Sequence, residues 1–381
     1  MITIIILLIL ATISIQSLTN TGLFQKANEA KEKTQNAAEN QAKILNEYED
    51  ELNNYISGIP TTPPVPQVKK VEDNIGSVLS TTDNTELQDA YGNKIVVPAG
   101  FKIVLDSTTN NATTVDKGIV IEDATSSATA GSQFVWIPVG KIYTDVAKTD
   151  ANAKTITLGR YSFDSNGIAS AYSGSRVEED TNDASTLKKY GNTIAKNITN
   201  FKNSVASNGG YYIGRYEART TTARKDENAQ LTQITEKGTD QVYNYVTQVQ
   251  AASQTQNMYN STKFTSDLMN SYAWDTATLF LQTCGTNNKY SRQNSLNTGS
   301  VAQTGTTNDV QCNVYDMASN VYEWTTETSD NSDYPCVVRG GYYGGNYGGS
   351  GDCTSYHSFS STSSSYDGVG FRPLLYVGLN S

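Results

Sequence analysis

Few side chains of this 381-residue chain are equipped for covalent or metal chemistry. It has one imidazole, His357, and four thiols, Cys284, Cys312, Cys336 and Cys353. The thiols lack the CxxC spacing of a zinc site, and one histidine does not hold iron tightly by itself. A Ser–His–Asp hydrolase built on His357 would need a strained nucleophile turn of the GxSxG kind, and none accompanies it. If the chain is exported, Cys336 with Cys353 is the disulfide to test, because the two flank one Gly-rich stretch; isolated buried thiols are the alternative. Hard-ion chemistry has a better opening in the segment DMASNVYE, Asp316 to Glu323. Its two carboxylates are separated by a turn whose carbonyls, at Ser319 and Val321, can converge on one point, the all-oxygen geometry that calcium takes. The competing reading is that Asp316 and Glu323 only bond the loop backbone. Trp324, next in sequence, is expected in the core.

Recognition chemistry is concentrated further on. Between Gly340 and Phe371 the chain uses mostly Gly, Ser and Tyr, without a single Lys, Arg, Glu, Gln, Leu, Ile or Met. Antibody paratopes have this composition: Tyr gives a large contact area at low entropic cost, while Ser, Gly and Asn supply adaptable hydrogen bonds. The expected ligand contacts are Tyr342, Tyr343, Asn346, Tyr347, Ser350, Asp352, Ser355, Tyr356, His357, Ser358 and Tyr366. The segment shows no helix or strand periodicity, so a long loop is expected, and a long loop in a compact domain usually has a function. A low-complexity loop without a dedicated ligand is the alternative.

The elements that must position this loop are legible in outline. Ile2 to Ile15 is nearly all Ile and Leu, roughly 14 residues against the ~20 that cross a bilayer, with no basic stretch before it. Leu23 to Ile56 contains no Pro or Gly and is rich in helix formers, so one helix is expected over residues 2–56, roughly 80 Å long at ~1.5 Å per residue. Ile44, Leu45, Tyr48, Leu52 and Tyr55 recur at helical steps, and Glu29 with Lys33 and Glu39 with Lys43 are spaced to pair. Residues 57–70 include SGIPTTPPVP, a semi-rigid spacer. Short β-type runs follow, KIVVPAGFKIVL, GIVIED and QFVWIPVG, with residues 71–130 read as a β-rich lead-in to a head spanning 131–381. Charged residues make up 17% of the chain and its net charge is −10, with 28 Lys and Arg against 38 Asp and Glu. Without a basic stripe, counterion release cannot drive binding to nucleic acid. The polar, Tyr-rich and Gly-rich composition suggests an extracellular surface.

Several segments in one order carry a family resemblance: QFVWIPVG at Gln133, YYIGRYE at Tyr211, LMNSYAWDTATLFLQTC at Leu268 after a helical stretch from Tyr243 to Tyr259, NVYDMASNVYEW at Asn313, VVRGGYY at Val337 and GFRP at Gly370. Over Gly131 to Tyr376 the chain resembles the formylglycine-generating-enzyme (sulfatase-modifying factor) family. The resemblance implies an α+β fold of the C-type-lectin-like kind, with two helices and small twisted antiparallel sheets, and it implies calcium at the Asp316–Glu323 motif. Enzymes of that family hold copper with two cysteines shortly after the RGG motif; the matching places here are near Gly345 and Ser350, which supply no thiolate. Iron-dependent relatives need a His cluster. The expectation is therefore a protein that is no enzyme and needs neither copper nor iron. Most residues of the terminal loop have codons reachable from an Asn codon by changing adenines, and with the loop's position this resembles the variable proteins of diversity-generating retroelements. Ile2 to Tyr55 resembles the N-terminal helix of type IV pilins, although the basic leader ending in Gly and the early Glu of that family are not visible. Together these imply a bacterial or phage-encoded surface protein, membrane-anchored or pilus-associated, that binds a protein or glycan ligand through its loop, with its helix available for membrane attachment or self-assembly. The other reading is a structural pilin-like or particle subunit with an inert head, and a copper-dependent oxidase trails both.

Overall fold

The computed structural model describes residues 22–57, 68–106, 110–125, 128–178, 198–222, 226, 234–294, 298–344 and 353–378. The chain divides into two units, Met1–Gln67 and Val68–Ser381. In the first unit, α1 (Gly22–Ser57) is one uninterrupted helix. Its stripe of Ile44, Leu45, Tyr48 and Leu52 stands between 53% and 67% exposed. Lys43 pairs with Glu47 at 4.0 Å, one turn onward, and not with Glu39. Such exposed pairs contribute only ~0.2–0.5 kcal/mol, too little to fix one rotamer. No described helix is long and apolar enough to cross a membrane. The run Ile2–Ile15 and most of the Pro-rich spacer lie outside the described residues.

The second unit is α+β. Its main sheet contains β1 (Phe101–Ile103), β2 (Val120–Asp123), β3 (Gln133–Pro138), β5 (Gly210–Gly214), β6 (Phe264–Leu268) and β11 (Pro373–Val377) in the order β6-β11-β5-β3-β2-β1. All neighbours are antiparallel. Both faces are covered, which explains why these strands read as continuous apolar runs. Phe134, Trp136, Tyr212 and Leu375 belong to one core cluster, while Val135, Ile137, Tyr211, Ile213 and Leu374 belong to the other. Residues 71–130 are part of this unit and not a separate lead-in: Val71, Leu87 and Ile95 are fully buried in the first cluster, and β1 and β2 extend the sheet.

Among the described residues, three helices cover the sheet edges and faces. In α2 (Ile198–Asn208), Phe201 packs edge-on against Tyr211 of β5 and Tyr376 of β11. The helix read at Tyr243 to Tyr259 is shorter, α3 (Gln248–Gln256), because Thr247 forms a capping box with Gln250. The helix read from Leu268 is α4 (Ser271–Cys284), which starts where the Asn270 side chain accepts from the Ala273 N–H at 2.9 Å. Trp274, Phe280 and Leu281 of α4 fill the second core cluster.

A second sheet carries the terminal segment. It contains β4 (Arg176–Val177), β7 (Tyr322–Ser329), β8 (Cys336–Arg339) and β9 (His357–Ser360), in that order, with β10 (Val369–Phe371) parallel to β7. The segment expected to be loop throughout thus contains two strands. Its Ser, His and Gly residues show no alternation because β9 pairs through its backbone at the sheet's end, where one-sided burial does not select side chains.

Candidate functional site

Two buried arginines frame the terminal loop. Arg339 at its start is fully buried; Nη1 donates to Glu327 Oε2 at 2.9 Å, and Nη2 donates to Asp275 Oδ1. Glu327 also accepts from Arg176 and, at 3.3 Å, from Arg160. Burial alone would raise the Glu327 carboxyl, but the guanidiniums of Arg339, Arg176 and Arg160 together hold it down at about 2. Arg372 at the loop's end is also fully buried. Its Nε donates to both Glu323 oxygens at 3.2 and 3.0 Å and Nη2 to Glu323 Oε1 at 2.6 Å, while Nη1 and Nη2 reach the Gly214 and Tyr315 carbonyls at 2.9 and 2.8 Å. Removing one partner of such a buried pair costs about 3–5 kcal/mol. The two ends also converge on a single residue of β7: Glu323 is opposite Arg339 on the antiparallel side and Gly370 on the parallel side.

The motif around Asp316 explains the two glycines after Arg339. The turn Met317–Ser319 passes directly over them, so a Cβ at Gly340 would lie 2.8 Å from the Met317 carbonyl oxygen and one at Gly341 1.9 Å from that of Ala318. Gly340 also has φ +87°, which disfavours any side chain. Asp309 fixes the turn by accepting from the Ala318 N–H at 2.7 Å and the Ser319 hydroxyl at 3.1 Å. Asn320, at φ +66°, donates to Glu217 at 2.5 Å, and its carbonyl accepts the Tyr343 N–H at 2.8 Å. Val321 N–H reaches the other Glu217 oxygen at 3.2 Å.

These contacts do not fit calcium held jointly by Asp316 and Glu323. Asp316 accepts from the Gly305 N–H at 2.7 Å and from Thr307 Oγ1, whereas Glu323 is occupied by Arg372. Burial lifts Asp316 to about 7, leaving it partly protonated near neutral pH. Among the described residues no group of three or more His, Cys, Asp and Glu side chains is arranged to hold a metal ion. Sequence reading missed the buried acids Asp275, Asp309 and Glu327, for which no local signal stood out, and Glu217, whose signal was an acid closing the apolar run YYIGRYE.

On this frame stands a row of tyrosines. Tyr322 of β7 stacks on Tyr342, with ring centroids 5.1 Å apart and planes at 10°, and on Tyr356 at 5.7 Å and 28°. Tyr343 lies against Tyr342 at 4.3 Å, and its hydroxyl donates to Asp367 Oδ2 at 2.9 Å. Tyr322, Tyr342, Tyr343 and Tyr356 are half-buried, and Tyr366 is exposed. The structure therefore brings Tyr342, Tyr343 and Tyr356 together and adds Tyr322, which the motif reading had left without a role. His357 and Ser358 follow on β9, opposite Arg339 and Val338, and both are half-buried, as is Ser355. Burial, then Arg176 and Arg339, push His357 down to about 4, so it is neutral at physiological pH. Asn346, Tyr347, Ser350 and Asp352, like Gly345, lie outside the described residues.

All four cysteines are free. Cys336 opposes Ser360 at one end of the β8–β9 pair, while Cys353 bridges to Asn294 before the other end begins, so the pairing of Cys336 with Cys353 is not made. No family model, curated protein or solved structure matches this chain.

Proposed function

We propose that residues 68–381 form a non-catalytic binding head, displayed at a cell or particle surface, whose segment Gly340–Phe371 contacts a protein or glycan ligand. The observation that carries this reading is the contrast between the buried clamps at both ends of the segment, Arg339 and Arg372, and the partly exposed tyrosine row mounted on them. A surface whose contacting groups vary while its geometry holds needs that division. We read the α+β architecture as C-type-lectin-like, of the formylglycine-generating-enzyme kind, and the segment as the variable region of a retroelement-diversified protein. Copper and iron have no part in this reading, because Gly345 and Ser350 stand where the oxidases place their cysteines. The apolar N-terminus and α1 serve as the display element, at a membrane or in a helical assembly.

A structural pilin-like or particle subunit is the second reading, and the exposed stripe of Ile44, Leu45, Tyr48 and Leu52 favours it, since such a stripe suits packing against copies of itself. Sequencing the gene from sibling isolates separates the two. Diversified binding predicts substitutions at adenine-derived codon positions within 340–371, with Arg339–Gly341 and Gly370–Pro373 unchanged. An invariant segment, or changes spread evenly over the head, would leave the structural subunit.

A further inference from the structure

A cleft of about 260 Å³ opens beside the tyrosine row, with Tyr356 common to both. Tyr161, Phe163, Tyr172 and Tyr356 form its aromatic walls, and Arg176 and Arg292 supply its charge. Among the described residues no carboxylate lines it. The segment carrying Arg292 is stitched to the middle of the terminal segment: the Ser355 N–H donates to the Ser291 carbonyl at 3.1 Å, and the Thr354 hydroxyl to that of Tyr290 at 2.9 Å.

The charge of this cleft runs against that of the chain, whose net charge is −10. Behind it, the three guanidiniums of Arg160, Arg176 and Arg339 pair with the two carboxylates of Asp275 and Glu327, and the third nearby acid, Glu178, is raised by burial and by Glu327 to about 7. The ring of Tyr172 carries two of these cations, Arg176 at 4.0 Å and Arg160 at 4.6 Å from its centroid. Arg292 adds a half-buried guanidinium that has no ion-pair or side-chain hydrogen-bond partner among the described residues. Arg176 is only 2% exposed, yet its Nε has no acceptor. That Nε is enclosed, so Arg176 gives the cleft wall its charge and not a reachable donor. His357, which shares the cleft, is depressed first by burial and then by Arg176 and Arg339.

We infer that this cleft binds a carboxylate-bearing monosaccharide, the acidic residue of a glycan, with the carboxylate on Arg292 and the sugar ring against Tyr161, Phe163 and Tyr356. A guanidinium matches a carboxylate in a bidentate fork, and flat aromatic faces suit the C–H face of a pyranose. Ser162 and Ser355 at the rim offer hydroxyl partners. The volume is below the ~300–1,000 Å³ of pockets for drug-sized ligands, which suits one sugar unit and not an extended chain. This inference rests on the binding-head reading and names the ligand class for it.

The test uses the full chain in mild detergent with ligand-observed NMR, titrating glucuronate, glucose and glutamate at millimolar concentration. Glucuronate should bind at least about 10-fold more tightly than glucose, the size of one charge-assisted contact, and more weakly as salt rises. Arg292→Gln should remove that preference while Arg292→Lys keeps part of it, and Tyr334→Ala, exposed and outside both the cleft and the terminal segment, should change nothing. Equal binding of glucose, an intact preference in Arg292→Gln, or no binding of any probe would overturn the proposal. Glutamate binding as well as glucuronate would overturn it in favour of an acidic peptide. None of these failures touches the substitution pattern among isolates, which judges the binding-head reading by itself.

Discussion

At the scale of single residues, the frame is more demanding than the surface it carries. Gly341 has no room for even one carbon, since the Ala318 carbonyl would sit 1.9 Å from its Cβ. Gly341→Ala must therefore displace the Met317–Ser319 turn that Asp309 holds, and about 1–3 kcal/mol of stability should be lost. Tyr366→Ala removes an exposed ring, and its effect should stay within about 0.5 kcal/mol. Denaturant midpoints of the two variants check this; a silent Gly341→Ala would mean that the turn moves freely and that the frame is not rigid. The same contrast explains what could be read without coordinates. The RGG and GFRP motifs were visible as landmarks, but the reason for the RGG glycines lies in a turn more than twenty residues earlier, and Gly370 is held against Val321 and Val242. The carboxylates of Asp316 and Glu323 looked like joint ion ligands because their spacing was all that a sequence offers. Their actual partners, Thr307 and Arg372, lie 9 and 49 residues away from them.

At the scale of elements, legibility followed burial. QFVWIPVG and YYIGRYE read as strands because β3 and β5 are covered on both faces, leaving an apolar run that local sequence reports directly. β9 escaped notice because HSFS pairs with β8 by backbone alone at the end of its sheet. Helix starts were misplaced by a few residues where capping by Thr247 and Asn270 decided them. For α1 the sequence located the helix but not what its stripe faces. Replacing Leu45 and Leu52 together with Glu should leave helicity unchanged, since Glu is as good a helix former as Leu, while abolishing any association through that face. Circular dichroism with light scattering measures both. If the doubly substituted chain associates as the parent does, the stripe is not the contact and display depends on the apolar run before it.

At the scale of the whole molecule, the many buried acids make stability depend on pH. Burial raises Glu178 and Asp316 to about 7, above their ordinary values of 4.5 and 3.8. The folded state holds these protons after the unfolded chain would release them. That stability is complete below the ordinary values and is lost as pH rises through 7. Glu217 and Glu236, raised further by burial, add a decline of the same sign. His357 acts oppositely: lowered from 6.5 to about 4, it contributes above 6.5 and its share is lost as pH falls through 4. Between pH 6.5 and about 8 the carboxylates therefore act alone, and stability should fall with rising pH. Glu178→Gln and Asp316→Asn should each reduce that slope by about 0.7 kcal/mol per pH unit at pH 7, measured by urea unfolding. A slope unchanged in both variants would show that neither carboxyl holds its proton in the fold.

The convergence of both ends of the terminal segment on Glu323 also bears on engineering. Strands on either side of one strand are about 10 Å apart, so the head presents a fixed pair of attachment points, each locked by its own arginine. Closing a longer insert between them costs little, about 0.6 kcal/mol for each doubling of length. The head is in this sense a socket: a foreign peptide spliced between Gly341 and Gly370 would be held at both ends by contacts that do not depend on what it says.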